Sequence, residues 1–414
     1  MSKYKILSLD GGGSWALLQI KALQQIYGAN ALGHDVLKNF NLVVANSGGS
    51  VAMAAMLKNL PLSYILNNYY LKESVLQTIF VKLPNLKIEK LIRDVIGVGP
   101  KYSAAKKLPG MREVLNSTVN GSIAVGDTRV VDLPNLLNNN TQFVIVAFDY
   151  DSRKEVFFRS NLNSKAQSSG NAGAFASVTL AQAIHASSNA PVQFFDAPAQ
   201  FPVGSAEYNF WDGAMGGYNN PVAAGVIEAL ADEVDKNDIC VLSIGTGNTM
   251  LPVKGHVLRT AVSDDLYQPV KNSSLPNDIE EAATTVLDDP PDAATFTAYM
   301  LLGNIPIRPN PTAPIAPPKN IVRLNALIQP VVNSNNNWDY PAGITADQFK
   351  TLVDMDMAAV DQSQVDLINQ FGNAWISGDV NNQGIRHNPD TTIDIGYSNF
   401  AEAVAAWNNC NNNI

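Results

Sequence analysis

With 414 residues, the chain is long enough to bury a sizeable core in one large domain or two of ordinary size. Its 46% hydrophobic and 16% charged residues are typical of a soluble globular protein. Because the net charge is −9 and phosphate binding needs a basic surface, we expect no nucleic-acid partner. The two cysteines, Cys240 and Cys410, are far apart in the sequence, which predicts neither a metal site nor a disulfide scaffold and fits a reducing compartment.

The N-terminal stretch MSKYKILSLDGGG lacks the longer apolar segment and the cleavage site of a signal peptide. No later run approaches the roughly 18 apolar residues that a membrane span needs. We therefore expect neither a signal peptide nor a transmembrane segment. The expected location is cytoplasmic, with peripheral contact to membranes left open.

A strand predicted at residues 5–9 runs into Asp10, Gly11, Gly12 and Gly13, and a periodic helical stretch follows from Leu17. Consecutive amides of such a glycine run can converge on one negatively charged oxygen. A nucleotide-binding loop would use the same physics, but the chain has neither G-x-G-x-x-G nor a P-loop here. The glycine run therefore favours an oxyanion hole.

Residues 41–57 combine a short apolar strand with a helix of small residues, and Ser47 stands at the junction. The stretch Ala45-Asn46-Ser47-Gly48-Gly49 has the form G-x-S-x-G with alanine in the first place. Such a turn needs small residues two before and two after the serine, where strand and helix pack closely. The pattern predicts an exposed nucleophilic Ser47 next to the first amides of a helix, although by itself it also fits an ordinary glycine-rich loop.

Residues 82–107 are basic, and two interpretations of them stay open. Their apolar residues alternate with seven cations against only Glu89 and Asp94: Lys82, Lys87, Lys90, Arg93, Lys101, Lys106 and Lys107. They could form an amphipathic surface for anionic lipid headgroups. A solvated helix face is the other interpretation.

The middle of the chain alternates strand and helix patterns. A strand at residues 142–149 and a hairpin arm at 154–159 precede a helical stretch at 174–186, which Ser187-Ser188-Asn189-Ala190-Pro191 ends. A helix at 222–234 and a buried strand at 239–244, which ends in Gly245-Thr246-Gly247, follow. This order predicts an α/β, three-layer fold with a mostly parallel sheet and helices on both faces, in which ligands bind beyond the carboxyl ends of the strands.

Asp212 is predicted to lie in a loop dense in glycine and asparagine, with Gly213 and Ala214 directly after it. An Asp-Gly pair is a turn in most sequences, so Asp212 alone does not indicate a site.

The second half of the chain is less regular. Residues 250–341 contain a proline-rich segment at 305–319 and are interpreted as a lid over the site or a strap on the sheet. Thr345 and Gln348 form a capping-box signature that opens a helical part within 342–380. These boundaries predict one domain over 1–380 with its core at 4–250, then an asparagine-rich tail at 381–414, partly disordered at 408–414.

These stretches resemble the patatin-like phospholipase family over about residues 4–250. The resemblance is carried, in the family's order, by Asp10 to Gly13, Ala45 to Gly49, Ser187 to Pro191, and Asp212-Gly213-Ala214. It implies a patatin-like variant of the hydrolase architecture and a phospholipase A type acyl hydrolase acting on membrane lipid or glyceride. The implied residues are the nucleophile Ser47, its base Asp212, and the oxyanion amides of Gly11, Gly12, Gly13 and Gly48, with no metal or cofactor.

Two departures from the family pattern leave other functions open. Trp15 stands where an arginine is common, and Ala16 replaces the last glycine of the loop. A lipid-binding or interaction protein with a damaged oxyanion loop is therefore one alternative. A Ser-Asp-His triad using His256 or His387 is a second, whereas His185 precedes Asp212 and is out of that order.

Overall fold

The computed structural model describes residues 3–83, 100–167, 173–191, 194–254, 260–269, 273–274, 290–304, 318, 320–386 and 395–412. The strands are β1 (Tyr4–Leu9), β2 (Leu42–Ala45), β3 (Gln142–Asp149), β4 (Lys154–Arg159), β5 (Ala199–Val203), β6 (Ala206–Asp212), β7 (Ile239–Ile244), β8 (Asn248–Thr249), β9 (Ile321–Leu324), β10 (Leu327–Ile328), β11 (Val331–Val332) and β12 (Trp338–Asp339). The α-helices are α1 (Leu17–Tyr27), α2 (Gly33–Leu37), α3 (Ser47–Leu57), α4 (Leu62–Ile65), α5 (Glu73–Ile79), α6 (Ala104–Asn116), α7 (Leu133–Leu137), α8 (Leu180–Ser187), α9 (Val222–Ala231), α10 (Pro290–Leu301), α11 (Ala346–Asp354), α12 (Gln362–Ser377) and α13 (Phe400–Asn412).

One mixed sheet has the strand order β5-β6-β3-β2-β1-β7-β9, and β4 pairs on β3. The strands from β3 to β9 in this order are parallel neighbours. β4 and β6 run antiparallel to β3, and β5 runs antiparallel to β6. The carboxyl ends of β1, β2 and β7 therefore meet at one edge, where parallel α/β sheets bind ligands.

Alternate residues of the central strands enter two separate cores. Leu7 and Val43 pack in one cluster with residues of α1, α3, α8 and α12. Ile6 and Val44 pack in the other with residues of α9 and α10. Since successive side chains of a strand point to opposite faces, both faces of the sheet are covered. The predicted three-layer α/β class is thus confirmed.

The local patterns located four strands of the main sheet in addition to the strand before Ser47. The strands predicted at 5–9, 142–149, 154–159 and 239–244 are confirmed, as is the capping box at Thr345. α8 begins later than predicted, at Leu180, because Thr179 caps it. The prediction that Asp212 lies in a loop is wrong: it is the last residue of β6, paired with Ala147 of β3. None of the described helices is both long and apolar enough to cross a membrane.

The C-terminal part of the chain is more ordered than its composition indicates. The prediction of disorder from residue 408 is wrong as far as residue 412, because α13 continues to Asn412. Trp407 of α13 stacks on Phe40 with ring centroids 5.7 Å apart, and Phe400 contacts Trp375 at 4.7 Å. β9 joins the main sheet although it lies within the irregular stretch 250–341. The proline-rich segment 305–319 is, apart from Pro318, outside the described residues.

The prediction that the two cysteines form no disulfide is also wrong. Cys240 of β7 and Cys410 of α13 are bonded, with Cα atoms 6.3 Å apart, within the usual range for a disulfide. The bond closes a separation of 170 residues and ties the last helix to a central strand. It also removes the argument for a reducing compartment, because structural disulfides persist where the environment is oxidising.

Replacing Cys410 with serine is expected to lower the free energy of unfolding by about 2–4 kcal/mol, because the unfolded chain regains the freedom that the cross-link removes. Urea unfolding of oxidised wild type, reduced wild type and Cys410→Ser measures this. Reduced wild type is the matched control and should unfold like the variant. Equal stability of the oxidised and reduced wild type would contradict the prediction.

Candidate active site

Ser47 lies at a sharp turn between β2 and α3. Its φ of 47° is left-handed, a conformation that costs energy for a residue with a side chain. A Cβ atom on Gly49 would lie less than 3.0 Å from the backbone of Leu9 and Asp10, so strand and helix approach too closely there for a larger residue. This close approach is the physical reason for the small residues that the sequence pattern required.

Asp212 is brought to Ser47 by the pairing of β6 with β3. Its carboxylate is 2% exposed, and Oδ1 accepts hydrogen bonds from the amide of Ala214 and from Asn46 Nδ2, each at 2.9 Å. The Ser47 side chain also lies close enough to favour the ionised form of the Asp212 carboxyl. Burial raises the pKa of Asp212 above its ordinary value, and these hydrogen bonds oppose that rise.

Ser187 and Asn46, for which the sequence predicted no role, hold Ser47 and Asp212 in place. Ser187 Oγ accepts a hydrogen bond from the amide of Ser47 at 2.9 Å and is 3.3 Å from Asn46 Oδ1. Asn46 thus contacts both Ser187 and Asp212, and all four side chains are buried. Both residues lie inside the motif stretches, but nothing in the local pattern gave them a role.

The glycine loop, residues 10–13, lies beside Ser47, and three of the four predicted oxyanion donors stay candidates. A Cβ on Gly11 would lie 3.0 Å from Ser47 Cβ, and one on Gly48 would lie 2.8 Å from the amide nitrogen of Gly13. The amides of Gly12, Gly13 and Gly48 have no backbone acceptor among the described residues outside their own helices. The prediction for Gly11 needs correction: its amide already donates to the Asn219 carbonyl at 2.8 Å.

A buried ion pair holds Asp10, the residue directly before the three glycines. Arg323 Nη2 donates to Asp10 Oδ2 at 2.5 Å, and Arg323 Nη1 donates to Ser243 Oγ at 2.8 Å. Burial raises the pKa of Asp10 to about 6, although the Arg323 charge and hydrogen bond lower it. Thr246 Oγ1 donates to the Gly11 carbonyl at 2.6 Å. Arg323 comes from β9, outside the predicted core at 4–250.

A largely apolar cavity opens onto Ser47 and Gly48. Its lining includes Val51, Ile79, Phe80, Phe195 and Met357. A second apolar cavity shares Val51 and Ile79 with the first and continues between α3, α5 and α6. Tyr70 and Leu76 also line both cavities, so the second apolar cavity directly adjoins the one over Ser47.

The segment between α11 and α12 closes one side of the first cavity. The carbonyl of Met357 accepts from the amide of Ser14 at 3.0 Å, and the carbonyl of Asp356 accepts from Trp15 Nε1 at 3.1 Å. Tyr102 Oη donates to the Ala358 carbonyl at 3.2 Å. Trp15, which departs from the family pattern, therefore tethers this cavity-lining segment.

The lysines of the basic stretch 82–107 that the structure describes have different surroundings. Residues 84–99 lie outside the described part of the chain. Lys101 forms an ion pair with Asp356, and Lys107 is 1% exposed and lines the cavity over Ser47. The interpretation of 82–107 as a basic surface is therefore wrong for Lys107, because its ammonium points away from solvent.

Neither of the two histidines in the described part of the chain, His34 and His185, has a hydrogen bond to Ser47 or Asp212. Burial and the nearby Lys107 charge lower the pKa of His185 well below its ordinary value, and His34 Nε2 lies 2.8 Å from the Leu57 carbonyl. His256 and His387 lie outside the described residues. Within the described part of the chain, no group of three His, Cys, Asp or Glu side chains could hold a metal ion.

Comparison with known families decides which group of proteins this chain joins. The family model described as patatin-like phospholipase matches residues 7–226, more than half of the 414 residues. The chain belongs to the patatin-like phospholipase family. Among solved structures, this patatin-like protein is similar to the crystal structure of VipD from Legionella pneumophila, at 12% identity and a TM-score of 0.33, over 90% of this chain and 67% of that chain. No curated protein matches significantly.

The matched range of this patatin-like protein contains Ser47, Asp212 and the glycine loop. Arg323 and Cys410 lie outside it. The family match therefore covers the candidate dyad but not the ion pair that supports the loop.

Proposed function

We propose that this patatin-like protein is a lipid acyl hydrolase of the phospholipase A type that cleaves fatty acyl esters through an acyl-enzyme. The observation that supports the proposal is the placement of Ser47 beside the buried Asp212 carboxyl, which the neighbouring Asn46 side chain holds by a hydrogen bond, together with the apolar cavity over Ser47. A membrane phospholipid or a glyceride supplies both the ester carbonyl and the apolar chain that such a site accommodates.

In the first step, Ser47 Oγ attacks the ester carbonyl carbon while Asp212 accepts the hydroxyl proton. The carbonyl electron pair moves onto its oxygen, where the amides of Gly12, Gly13 and Gly48 would donate to it; losing one such donor typically costs about 3 kcal/mol. The ester C–O bond then breaks, and the alcohol leaves with the proton from Asp212. Water hydrolyses the acyl-enzyme with Asp212 again as base.

A carboxylate with an ordinary pKa near 4 is a weak base for a serine hydroxyl. Burial raises the pKa of Asp212, which makes its carboxylate a stronger base for the Ser47 hydroxyl. The proposed dyad therefore depends on the burial that the pairing of β6 with β3 produces.

A fluorophosphonate probe tests the proposal together with a lipid panel assayed in the presence of EDTA. We expect Ser47-dependent labelling and turnover of phospholipid or glyceride, both lost in Ser47→Ala. Ser63→Ala, in the short helix α4, is the matched serine control and should label like wild type. Absence of labelling in a folded protein that binds lipid would instead support the non-catalytic alternative.

The size of the side chain at position 51 is expected to set the acyl-chain preference, because Val51 lines both cavities. Val51→Phe should lower kcat/KM for long-chain esters by about 100-fold, since each methylene kept out of an apolar site forfeits about 0.8 kcal/mol. Butyrate esters should change less than threefold. Ile227→Phe, on the outer side of α9, is the control. An equal loss for short and long chains would contradict this prediction.

Peripheral membrane contact through 82–107 and a cytoplasmic location stay predictions. The exposed cations of this stretch in the described part of the chain are Lys82, which pairs with Asp361, and Lys106.

A further inference from the structure

Lys107 occupies an unusual position for a lysine. It lies in the first turns of α6 and is 1% exposed, and its side chain lines the cavity that also contains Ser47. Its Nζ donates to the carbonyl of Ser188 and lies 4.1 Å from the centroid of the Phe195 ring. A buried ammonium is costly unless an opposite charge and hydrogen bonds compensate it.

The opposite charge that acts on Lys107 is Asp212. Burial lowers the pKa of Lys107 well below its ordinary value, and the Asp212 carboxylate opposes that shift; the Lys107 charge in turn lowers the pKa of Asp212, which burial raises. The Phe195 ring and the Ser188 carbonyl add a cation–π contact and one acceptor, which alone cover only part of the desolvation cost. The lysine is therefore placed where it serves the carboxylate of the proposed dyad.

The contacts of the turn at 187–189 connect Lys107 to both reacting groups. Ser187 Oγ accepts from the Ser47 amide, and the Asn189 carbonyl accepts from the Asp212 amide at 3.1 Å. Lys107 binds the carbonyl of Ser188, which lies between these two residues. A displacement of the ammonium would thus disturb the nucleophile and its base together.

We infer that Lys107 is a positioning residue of the hydrolase: its ammonium keeps Asp212 ionised for proton transfer from Ser47 and anchors the turn at 187–189. This inference rests on the proposed function. It assigns Lys107 no contact with the substrate ester and no covalent step.

The pH dependence that follows has a definite sign. Burial raises the pKa of Asp212 and Lys107 lowers it, so removing the ammonium leaves that pKa higher. The other titratable groups around Lys107 are His185 of α8, whose pKa burial lowers, and Asp196, which accepts from the first amide of α6. His185 stays neutral near pH 7 and does not replace the lost charge. The acid limb of the activity profile should therefore move to higher pH.

The test is the pH profile of kcat/KM for p-nitrophenyl butyrate and for a phospholipid, between pH 5 and 9, in wild type and Lys107→Met. We expect the acid limb of Lys107→Met to rise by at least one pH unit, with a loss of tenfold or more at pH 6 that shrinks toward pH 9 on both substrates. Lys107→Gln, which keeps a donor for Ser188 but no charge, should show the same shift. It replaces the methionine variant if that variant does not fold.

Lys58→Met is the matched control. Lys58 is also a fully buried lysine, and its Nζ donates to the carbonyls of Leu115 and Ser117. Unlike Lys107, it does not shift the pKa of the Asp212 carboxyl. Its replacement should lower stability and leave the acid limb in place.

Three results would overturn the inference: an unchanged profile, a loss that is equal at every pH, or a loss confined to the phospholipid, which would make Lys107 a headgroup phosphate ligand. If wild type shows no Ser47-dependent hydrolysis, the proposed function fails separately. The inference is then tested by infrared spectroscopy. The carboxylic acid band of Asp212, identified as the band that is absent in Asp212→Asn, is followed as a function of pH. That band should persist to higher pH in Lys107→Met, and identical titration would refute the role.

Discussion

Replacing Asp212 with asparagine is expected to lower kcat/KM for ester hydrolysis by about 10⁴-fold. A loss of this size follows when the aspartate of a Ser-His-Asp triad is replaced by asparagine. The asparagine oxygen can still accept from the Ala214 amide and from Asn46, so the turn after β6 keeps its shape. Its amide cannot take the Ser47 proton. The loss should therefore appear mainly in kcat, with folding intact.

The same substitution should affect stability in the opposite direction. Because burial raises the pKa of Asp212 in the folded state, its contribution to stability is full below the unfolded pKa and is lost as pH rises through the folded pKa. Asp212→Asn should therefore be at least as stable as wild type at pH 8, and relatively less stable at pH 4. Urea unfolding at the two pH values measures this difference.

Asp149→Asn is the matched control for the activity measurement. Asp149 is a buried aspartate at the end of β3, and it accepts from the amide of Asp151 at 3.0 Å. It is not part of the proposed dyad, and its replacement should change kcat/KM by less than threefold. If Asp212→Asn kept more than a tenth of the activity, the base would have to be another group.

Replacing Arg323 with methionine is expected to lower the free energy of unfolding by about 3–5 kcal/mol, because it leaves Asp10 buried without its counter-charge. Asp10 and Arg323 are 2% and 3% exposed, so water cannot take the place of the lost partner. The glycine loop that follows Asp10 should also lose its position, which would reduce hydrolysis.

The loss should grow with pH. Arg323 lowers the pKa of Asp10, which burial raises to about 6, so without it that pKa rises further. A carboxyl with a raised folded pKa loses its contribution to stability as pH rises through that value. Unfolding of Arg323→Met should thus show a larger deficit at pH 8 than at pH 5.

Two further variants make this second prediction specific. Arg129→Met removes an exposed arginine that pairs with Asp132 and should change stability little, because solvent screens a surface ion pair. The double variant Asp10→Asn with Arg323→Met should recover much of the loss, since no unpaired charge then stays buried. A deficit no larger than that of Arg129→Met would show that the buried pair is not needed for stability.

Predictions that depended on local spacing were accurate. β3 begins and ends at the predicted residues because a continuous apolar run suits a strand buried on both faces. The turn at Ser47 was predictable because its tight geometry constrains residues within two positions of the serine. The errors for Asp212, Lys107 and Cys410 have the opposite origin: the surroundings of each depend on a segment distant in the chain.

By itself, the sequence determined β1 to β4 and β7, the Ser47 turn and the glycine run, since periodicity, residue size and backbone freedom act over a few neighbouring residues. The tertiary structure alone decided which distant groups meet: Asp10 with Arg323, Cys240 with Cys410, and Lys107 with the turn at 187–189. It also decided that the Gly11 amide is already occupied. Such pairings follow from the order of strands in the sheet, and burial then sets their charges, neither of which a local pattern encodes.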